Sequence, residues 1–318
     1  MGISHARHKS HTDVWCAKFS NYKQKWPGHL FRHEPVENAI AVLKAGVLTS
    51  RKDAVDNGAL QNDIAPSTII QNRDDAHSKV RLYFRPRTPT QYHIEGIRKP
   101  ADFYMDKHSG FLVMLALNGK AVLTKESTRF SCGNMQSPYS NVYDGDTGFD
   151  NLDFTGIYHD EAYPSDEQKR QRCAEVLAES PLHIADTLSA IVVRTDADAS
   201  TIKYLLSREG LVDLVPLVKK SGGTGVFFQR FTALQYVDTA PGRISYKLKG
   251  TESVGDIQTE LTVYDDARNL YYNLYSGELK PYQAYFTPHN LPRGSYRLVF
   301  SLEGCFAHES LANLAPSS

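Results

Sequence analysis

The stretch Val80-Arg81-Leu82-Tyr83-Phe84-Arg85-Pro86-Arg87-Thr88-Pro89 joins a short apolar segment to a loop rich in proline and arginine. Residues 80–84 have the composition of a strand. Arg85 and Arg87 follow among prolines, which restrict the backbone, so we expect a rigid, cation-rich loop. Guanidinium groups form bidentate, charge-assisted hydrogen bonds that suit the pyrophosphate of a nucleotide. Composition alone leaves a second interpretation open, an arginine-rich hairpin on the surface.

Helical and strand patterns are mixed on both sides of this stretch, between residues 30 and 206. Apolar residues at helical spacing predict a helix over residues 35–44, and Gly46 is a suitable C-terminal stop. Asn118 and Gly119 predict a turn, after which residues 121–124 return as a hairpin strand. The other predicted elements are a strand at 111–117, a helix at 165–179, a strand at 190–194 and a helix at 199–206.

Residues 207–318 have a different texture, because apolar and polar residues alternate there as they do in half-buried strands. The clearest examples are residues 259–264 and 295–300. Turn signals recur at Pro241-Gly242, Ser276-Gly277 and Pro292-Arg293-Gly294. This pattern predicts a β-sandwich, joined through a linker near residues 207–220 or 221–225. We therefore expect an N-terminal segment (1–29), an α+β domain (30–206) and a smaller all-β domain (207–318).

The chain has 318 residues, of which 36 are basic and 36 acidic, so its formal net charge is zero. This balance excludes a domain that is basic throughout, the simplest kind of nucleic-acid binder. Charge is uneven locally, since residues 73–99 contain seven basic and three acidic residues, and residues 144–167 contain eight acidic and no basic residues. Either the two segments neutralise each other on the surface, or a basic groove lies beside an acidic mobile loop.

The sequence predicts a cytoplasmic protein without a membrane anchor. No apolar run reaches the ~20 residues that span a bilayer, and the polar start does not resemble a signal peptide. The four cysteines are far apart without CxxC spacing, which is typical of reduced thiols. His5, His8, His11 and Cys16 could bind a metal, but a flexible N-terminus is the favoured interpretation.

Four sequence blocks together resemble the DarT family of bacterial nucleic-acid ADP-ribosyltransferases. Three of the blocks are residues 30–48, residues 64–73, and residues 83–89 with Tyr92. The fourth is Gln168-Lys169-Arg170-Gln171-Arg172-Cys173-Ala174-Glu175-Val176-Leu177 followed by Pro181-Leu182. They keep the order and approximate spacing of the family over residues 30–206, and nothing comparable covers residues 207–318. The resemblance implies an ADP-ribosyltransferase fold that uses NAD as a cosubstrate and needs no metal.

The resemblance also implies which residues are catalytic. ADP-ribosyl transfer breaks the bond between nicotinamide and ribose through an oxocarbenium-like state. A carboxylate can stabilise the developing cation and deprotonate the incoming base nitrogen. Glu175 matches the catalytic glutamate of the family, and Arg73 matches an arginine that would hold the pyrophosphate or orient Glu175. Without the resemblance, Glu175 would be interpreted as a solvent-facing helix residue, and Arg73 as one partner of a surface ion pair.

Six residues are candidates for binding NAD. They are Arg32, His33, Asn38, Tyr83, Arg87 and Tyr92. When Asn38 is aligned with the family asparagine, Arg32 and not His33 stands at the family's opening histidine, so the choice between the two stays open. Tyr83 and Tyr92 would line the nicotinamide pocket, although ordinary packing explains them equally well. Arg87 matches the family more closely than Arg85 does.

The aromatic and basic residues before and around Glu175 are candidates for binding nucleic acid. Tyr139, Tyr143 and Tyr158, with Phe149 and Phe154, could stack on unpaired bases in the segment 131–165. The alternative is a loop that buries its own aromatic side chains. Contacts with the phosphate backbone would fall to Lys169, Arg170, Arg172, Arg85 and Arg87.

The expected function is transfer of ADP-ribose from NAD to a base in single-stranded nucleic acid, with DNA favoured. The resemblance implies a toxin of a toxin–antitoxin or anti-phage system, with an antitoxin protein as partner. The alternatives are modification of RNA, such as mRNA, so that translation is blocked, modification of protein, and a non-catalytic nucleotide or nucleic-acid binder. For residues 207–318 we expect either a docking surface for an antitoxin or substrate strand, or a structural cap.

Overall fold

The computed structural model describes residues 1–58, 78–105, 108–135, 137, 139–222, 225–229, 231–250 and 254–316. The chain forms two compact units. The first contains Met1–His93, Val113–Val192 and Ser221–Phe227, and the second contains Ile94–Leu112, Val193–Lys220 and Phe228–Ser318. The expected domain limits at residues 30 and 207 differ from this division, and they stay predictions for independently folding domains. No helix in the described part of the chain is long and apolar enough to cross a membrane.

The first unit is built from short helices and one central sheet. Its helices are α1 (His5–Lys18), α2 (Val36–Ala45), α3 (Arg51–Asp56), α4 (Pro89–Ile94), α5 (Gly119–Leu123), α6 (Gly145–Asp150), α7 (Phe154–Ile157) and α8 (Asp166–Gln171), with a 3-10 helix at Asn21–Lys25. Its strands are β1 (His29–Pro35), β2 (Val47–Leu48), β3 (Val80–Tyr83), β4 (Leu112–Asn118), β5 (Arg129–Ser131), β6 (Val142–Tyr143), β7 (Glu175–Ala178), β8 (Leu182–His183) and β9 (Leu188–Val193).

The sheet of the first unit runs in the order β9-β4-β1-β3-β7-β5-β6, with β2 and β8 forming a separate small ladder. The pairs β1–β3, β3–β7 and β5–β7 are antiparallel. Strand β4 is apolar from Leu112 to Leu117 and buried throughout that run, which indicates a strand covered on both faces. The core of the unit therefore lies on both sides of β4, and the neighbouring strands β1, β3 and β7 carry the candidate site.

Several predicted elements are confirmed. The helix predicted at 35–44 is α2, and Gly46 ends it in the left-handed conformation with φ 71°. The strands predicted near 80–84, 111–117 and 190–194 are β3, β4 and β9. In each case a local signal, namely helical periodicity with a glycine stop or a dense apolar run, agrees with the tertiary environment.

The predicted hairpin at 118–124 is wrong. The side-chain oxygen of Asn118 accepts a hydrogen bond from the Ala121 N–H at 3.1 Å, and this N-cap begins helix α5. The Asn-Gly pair that predicts a turn is therefore a helix start.

The helix predicted over 165–179 is right only in its first half. Ser165 and Gln168 form a capping box at the start of α8, which ends at Gln171. The chain then enters β7, where four consecutive residues pair with β3. A short apolar run fits a helix or a buried strand equally well, and here pairing with β3 decides the outcome. Glu175 therefore begins a strand and does not lie on a helix.

The N-terminal segment is ordered, in contrast to the expected flexible start. Ser4 caps α1, whose His11 side chain is buried and packs 4.2 Å from the ring of Phe154 between centroids. The hydroxyl of Tyr158 lies 3.0 Å from Nε2 of His11. Buried aromatic contacts therefore hold α1 in place, which its polar sequence did not predict.

The second unit contains one long helix and two antiparallel sheets, as the alternating pattern predicted. Its elements are α9 (Asp196–Arg208), β10 (Val218–Lys220), β11 (Ala233–Ala240), β12 (Arg243–Lys249), β13 (Ile257–Asp265), β14 (Leu270–Leu279), β15 (Ala284–Pro288), β16 (Gly294–Leu302) and β17 (Cys305–Leu314), with 3-10 helices at Pro100–Asp102 and Val212–Leu217. The sheets run β11-β12-β15 and β14-β13-β16-β17 and share one hydrophobic core that includes Tyr246 and Phe300.

The predicted linker and turns of this unit had mixed outcomes. Residues 207–220 contain a 3-10 helix and β10, so they are ordered structure. Helix α9 is joined to the sheets through Thr201, whose hydroxyl lies 2.8 Å from Nδ1 of His308. The turn at Pro241-Gly242 connects β11 and β12 as expected, but Ser276-Gly277 lies inside β14, where it continues the ladder with β13.

Candidate active site

Strand register brings four polar side chains to one face of the central sheet. Tyr83 on β3 is directly opposite Glu175 on β7 and opposite Phe31 on β1. Directly opposed residues share a face, and side chains two positions apart along a strand share it too. His33, Arg81, Tyr83 and Glu175 therefore occupy the same face across three neighbouring strands.

Arg81 and Glu175 form a bidentate ion pair diagonally across β3 and β7. The distance is 2.8 Å from Nε to Oε2 and 2.5 Å from Nη2 to Oε1. The Glu175 side chain is 1% exposed and that of Arg81 19%. The backbone N–H of Glu175 donates to the hydroxyl of Ser131 at 3.1 Å. The carboxylate is thus held in place at the beginning of β7 with both oxygens engaged.

The groups around Glu175 are held in defined protonation states. Although burial opposes its charge, the neighbouring Glu175 carboxylate raises the pKa of the Arg81 guanidinium. Burial, and then the charge of Glu175, raise the pKa of the Tyr83 phenol. The same two causes raise the pKa of the Cys173 thiol to about 12. At neutral pH the carboxylate therefore faces one charged guanidinium and neutral Tyr83 and Cys173.

The structure distinguishes Arg32 from His33, the two candidates for the opening histidine of the family. His33 stacks on Tyr83, with ring centroids 5.5 Å apart and planes inclined by 4°. Burial, and then the charge of Arg32, lower the pKa of His33 to about 3, so its imidazole is neutral. Arg32 lies on the opposite side of β1, where its Nε donates to Oε1 of Glu34 at 2.6 Å. His33 thus lies on the face of Glu175 and Arg32 does not.

The arginine loop after β3 is anchored by Asp160, a residue that the sequence analysis did not select. Oδ1 of Asp160 accepts a hydrogen bond from Nη2 of Arg85 at 2.6 Å, and Oδ2 accepts one from Nη1 of Arg87 at 3.1 Å. The hydroxyl of Tyr22 also donates to Oδ2, at 2.9 Å. Although burial opposes its charge, these arginines lower the pKa of the Asp160 carboxyl. The basic and acidic segments of the sequence therefore meet at Asp160, where one carboxylate pairs with two arginines.

The two arginines of this loop differ in accessibility. Arg85 is 1% exposed and lies over the ring of Trp26, 4.8 Å from its centroid. The Arg87 side chain is 23% exposed, and its backbone is left-handed, with φ 59°. Arg85 is accordingly a buried structural residue, and Arg87 is the one that a ligand can reach.

The other two candidates for binding NAD with described positions lie on helices. Asn38 is buried in the first turn of α2. Tyr92 is half-buried on α4, with its ring in edge contact with His93. Arg73 and its block, residues 64–73, lie outside the described residues, so their predicted roles stay predictions.

The aromatic residues proposed to stack on bases fall into two groups. Tyr139 is 79% exposed and Tyr143 is half-buried. Tyr158 is only 2% exposed, and Phe149 and Phe154 are buried with it in one aromatic cluster. The predicted stacking role of Tyr158 is therefore wrong for this conformation, because its ring is part of the core.

The three basic residues proposed to contact phosphate also differ. Lys169 is exposed and pairs with Asp166 at 2.8 Å. Arg170 pairs with Glu167 and donates to the carbonyl of Tyr139 at 3.3 Å. Arg172 is buried and donates to Nδ1 of His159 at 2.6 Å, so its predicted phosphate contact is not compatible with this conformation.

The residues that sequence reasoning missed are Arg81, Ser131, Asp160 and Tyr22. Arg81 carries a usable signal, because it alternates with Tyr83 on a predicted strand and so shares its face. The contacts of Ser131 with Glu175 and of Asp160 with Tyr22, Arg85 and Arg87 join residues that are at least 44 positions apart in the sequence. Within the described ranges, no group of three or more His, Cys, Asp or Glu side chains is arranged to hold a metal ion.

A family model described as "DarT: ssDNA thymidine ADP-ribosyltransferase, DarT" matches residues 31–221. Among solved structures, Thermus sp. 2.9 DarT in complex with ADP-ribosylated ssDNA has 15% identity and a TM-score of 0.48, covering 64% of this chain and 97% of that chain. Thermus sp. 2.9 DarT in complex with NAD+ has 15% identity and a TM-score of 0.47, covering 64% and 98%. Thermosipho africanus DarTG in complex with ADP-ribose has 16% identity and a TM-score of 0.49, covering 71% and 57%.

No curated protein sequence matches the chain. The family model covers more than half of the sequence, and it includes β1, β3 and β7, the strands that carry the candidate site. It ends at residue 221, before the two antiparallel sheets of the second unit, as the resemblance of the sequence had implied. The chain therefore belongs to the DarT family and is an NAD-dependent ADP-ribosyltransferase.

Proposed function

We propose that this protein transfers ADP-ribose from NAD to a thymidine base in single-stranded DNA. The observation that carries the proposal is the Glu175 carboxylate, which is buried, paired with Arg81 and placed beside Tyr83 and His33 on one sheet face. These residues lie inside the segment that matches the family of ssDNA thymidine ADP-ribosyltransferases. The family description also favours DNA over the RNA alternative.

Glu175 is the proposed catalytic residue. During transfer the bond between the ribose C1′ and the nicotinamide nitrogen breaks, and nicotinamide leaves with the bonding electrons. A nitrogen of the base attacks C1′, and its proton passes to an oxygen of Glu175. Before that step the negative carboxylate stabilises the positive charge that develops on the ribose. Arg81 is the proposed positioning residue, because it holds both carboxylate oxygens.

NAD would be held by residues on both sides of this carboxylate. We propose His33 rather than Arg32 for hydrogen bonding to the ribose or nicotinamide amide, because His33 is neutral and faces Glu175. Arg87 rather than Arg85 would meet the pyrophosphate, because Arg87 is the more exposed. Asn38, Tyr83 and Tyr92 stay candidate lining residues, and Arg73 stays a candidate partner of the pyrophosphate.

The DNA strand would be recognised by exposed side chains near Glu175 in the sequence. Tyr139 presents an open aromatic face on which an unpaired base can stack. Tyr143 is partly accessible, and Lys169 can turn from Asp166 toward a phosphate.

We also propose a role as a toxin countered by an antitoxin protein. The similarity in sequence to the DarT family supports this role, and it is tested by growth arrest on expression.

The test incubates the full chain with labelled NAD and separate pools of single-stranded DNA, RNA and protein, followed by mass spectrometry of the digested nucleic acids. We expect label on thymidine of the DNA. The Glu175→Gln variant should lose about 10³-fold in rate, because general acid–base groups contribute about 10²–10⁴-fold. Glu179→Gln, at an exposed glutamate just after β7, is the matched control and should leave the rate unchanged.

Each contrary outcome removes a defined part of the proposal. Label on RNA alone would replace the DNA assignment with the RNA alternative, and label on protein alone would make the chain a protein ADP-ribosyltransferase. Equal rates for Glu175→Gln and the wild type would remove the catalytic assignment. NAD binding without transfer to any pool would leave a non-catalytic binder.

A further inference from the structure

The N-terminal segment contributes a further cation beside the arginine loop. Lys23 lies on the 3-10 helix at Asn21–Lys25, before the residues that match the family model. The preceding residue, Tyr22, joins this helix to the loop. Its hydroxyl donates to Oδ2 of Asp160 at 2.9 Å and accepts a hydrogen bond from Nη1 of Arg87 at 3.3 Å. Lys23 is therefore held close to the arginine that we propose for the pyrophosphate.

Aromatic rings fix the position of the Lys23 ammonium. Its nitrogen lies 5.5 Å from the centroid of the Trp26 ring and 4.8 Å from that of Phe19. The guanidinium carbon of Arg85 lies 4.8 Å from the same Trp26 centroid, so the two cations share one ring. A ring attracts a cation through its quadrupole and brings no negative charge. The rings therefore hold Lys23 in place without neutralising it.

Positive charges outnumber negative charges in this region. Asp160 supplies one buried negative charge, and Glu161, whose side chain is 89% exposed, supplies another at the surface. Four positive charges face these two acids. Among the described residues, no carboxylate forms an ion pair with Lys23, whose contacts are with the two rings. The four cations are those of Lys23, Arg85, Arg87 and Arg172.

Repulsion among the cations makes this arrangement costly without an anion. Burial lowers the pKa of the Lys23 ammonium, while Asp160 opposes this shift and the three arginines add to it. Burial also lowers the pKa of Arg85 to about 10, with Asp160 again opposing the shift and the neighbouring arginines adding to it. Buried charges are stable when they are paired, and here one buried carboxylate serves several cations. A bound anion would relieve this repulsion.

The four cations differ in whether a ligand can reach them. Arg85 and Arg172 are buried, so they act on a ligand through their charge. Arg87 and Lys23 are both partly exposed. The backbone of Arg87 has φ 59°, which is uncommon for a residue other than glycine, and its N–H donates to Oε1 of Gln91 at 2.8 Å. Strained backbone of this kind occurs preferentially at functional sites. Arg87 and Lys23 are thus the two groups available for direct contact.

We propose that Lys23 is a further binding residue for NAD, and that its ammonium and the Arg87 guanidinium together bind the pyrophosphate. The identity of the nucleotide rests on the proposed function. The pyrophosphate carries a negative charge on each of its phosphates, which matches the excess of positive charge around Asp160. A guanidinium forms bidentate hydrogen bonds with phosphate oxygens and an ammonium adds a point charge, so the two groups complement each other.

The first experiment measures, by calorimetry, how tightly the full chain binds ADP-ribose, which contains the same pyrophosphate. Lys23→Gln should weaken binding about 10-fold, close to the lower end of what hydrogen bonds to charged groups contribute. Lys23→Arg keeps the charge and should retain most of the affinity. Lys25→Gln, at an exposed lysine of the same 3-10 helix, is the matched control and should bind like the wild type. Wild-type affinity in Lys23→Gln, or an equal loss in Lys25→Gln, would overturn the proposal.

The second experiment separates NAD from the DNA strand as the source of the phosphate, through the kinetics of transfer to an oligothymidylate. Lys23→Gln should raise the KM for NAD about 10-fold and leave kcat and the KM for the oligonucleotide unchanged, as expected when uniform binding is lost. A rise in the KM for the oligonucleotide alone would assign Lys23 to a strand phosphate and overturn the NAD assignment. If ADP-ribose binding depends on Lys23 but the wild-type chain transfers no ADP-ribose, the proposed function fails and the nucleotide site stands.

Discussion

At the scale of single residues, the Arg81–Glu175 pair has to reconcile two requirements. A bidentate pair fixes the carboxylate and gives each of its oxygens a hydrogen-bond partner, which a buried charge needs. The carboxylate must also take up the proton of the base, and each oxygen keeps a second lone pair for it. We infer that Arg81 holds the carboxylate in place for both tasks, stabilisation of the developing cation and uptake of the proton.

This inference predicts different behaviour for two substitutions of Arg81. Arg81→Gln leaves the Glu175 carboxylate buried without its ion-pair partner, and we expect the transfer rate to fall about 10²-fold, because a misplaced catalytic group can cost about that much in rate. Arg81→Lys keeps the charge but not the bidentate geometry, so it should recover part of the rate. The rate is measured with labelled NAD and single-stranded DNA from pH 5 to pH 9, expressed as kcat and KM.

Two results would contradict the positioning role of Arg81. In one, both variants unfold at lower temperature but keep the wild-type kcat and pH profile, which would make the pair purely structural. In the other, Arg129→Gln, an exposed arginine on the neighbouring strand β5, lowers kcat as much as Arg81→Gln does. The pairing with Glu175 requires that the pH profile changes in the Arg81 variants and stays unchanged in Arg129→Gln.

The residues of the site differ in how far the sequence could predict them. The resemblance pointed to Tyr83 and Glu175 and left the choice between Arg32 and His33 open, and the structure brings His33, Tyr83 and Glu175 together. Arg81 could not be chosen with certainty, because its diagonal contact depends on a β3–β7 register that no local signal specifies. The burial of Tyr158 depends on α1, and the polar sequence of α1 carries no apolar stripe that would predict its packing.

At the scale of elements, a local sequence pattern predicted the structure correctly where it fits one kind of element. The prediction was wrong where the same pattern fits two kinds of element. Helix α2 has both a periodic apolar face and a glycine at its end. In contrast, Asn118-Gly119 fits a turn and also a helix N-cap, and residues 175–178 fit a helix and also a buried strand. In both cases contacts with distant residues made the choice, and these contacts are not encoded locally.

Gly46 offers a clean test of an element boundary. Its φ of 71° is left-handed, and an added Cβ would meet no atom within 4 Å. The cost of Gly46→Ala should therefore come from the backbone alone, and we expect a loss of about 1 kcal/mol in the free energy of unfolding. Gly46→Asn should cost less, since asparagine tolerates this conformation better. Urea unfolding measures both, and a loss for alanine no larger than for asparagine would contradict the capping role.

At the scale of the whole molecule, buried neutral histidines link stability to pH. Burial is the main cause that lowers the pKa of His11 to about 3 and that of His308 to about 4. In the unfolded chain each histidine has a pKa of about 6.5, so below that pH the unfolded state binds more protons than the folded state. Stability is therefore full above about pH 6.5 and decreases as the pH falls toward 4.

His11 provides the corresponding measurement. Between pH 7 and pH 5, protonation of His11 in the unfolded chain should lower the free energy of unfolding by about 2 kcal/mol, because each pKa unit corresponds to about 1.4 kcal/mol. His11→Gln should remove that part of the pH dependence, whatever its effect at pH 7. Both tryptophans, Trp15 and Trp26, lie in the first unit with His11, so their fluorescence during urea unfolding reports on this unit. An equal loss between pH 7 and pH 5 in both proteins would show that His11 does not titrate on unfolding.

The zero net charge leads to the last prediction, the salt dependence of DNA binding. Three arginines of the basic segment 73–99 are paired with carboxylates, Arg85 and Arg87 with Asp160 and Arg81 with Glu175. Of the residues expected to contact the DNA backbone, Arg87, Lys169 and Arg170 have partly exposed side chains. With about three phosphate contacts, the slope of log K against log salt for single-stranded DNA should be about −2. Anisotropy of a labelled oligonucleotide between about 50 and 200 mM salt measures it. A slope steeper than about −4 would mean that at least about six phosphates are neutralised, so basic residues beyond these three would have to contact the strand.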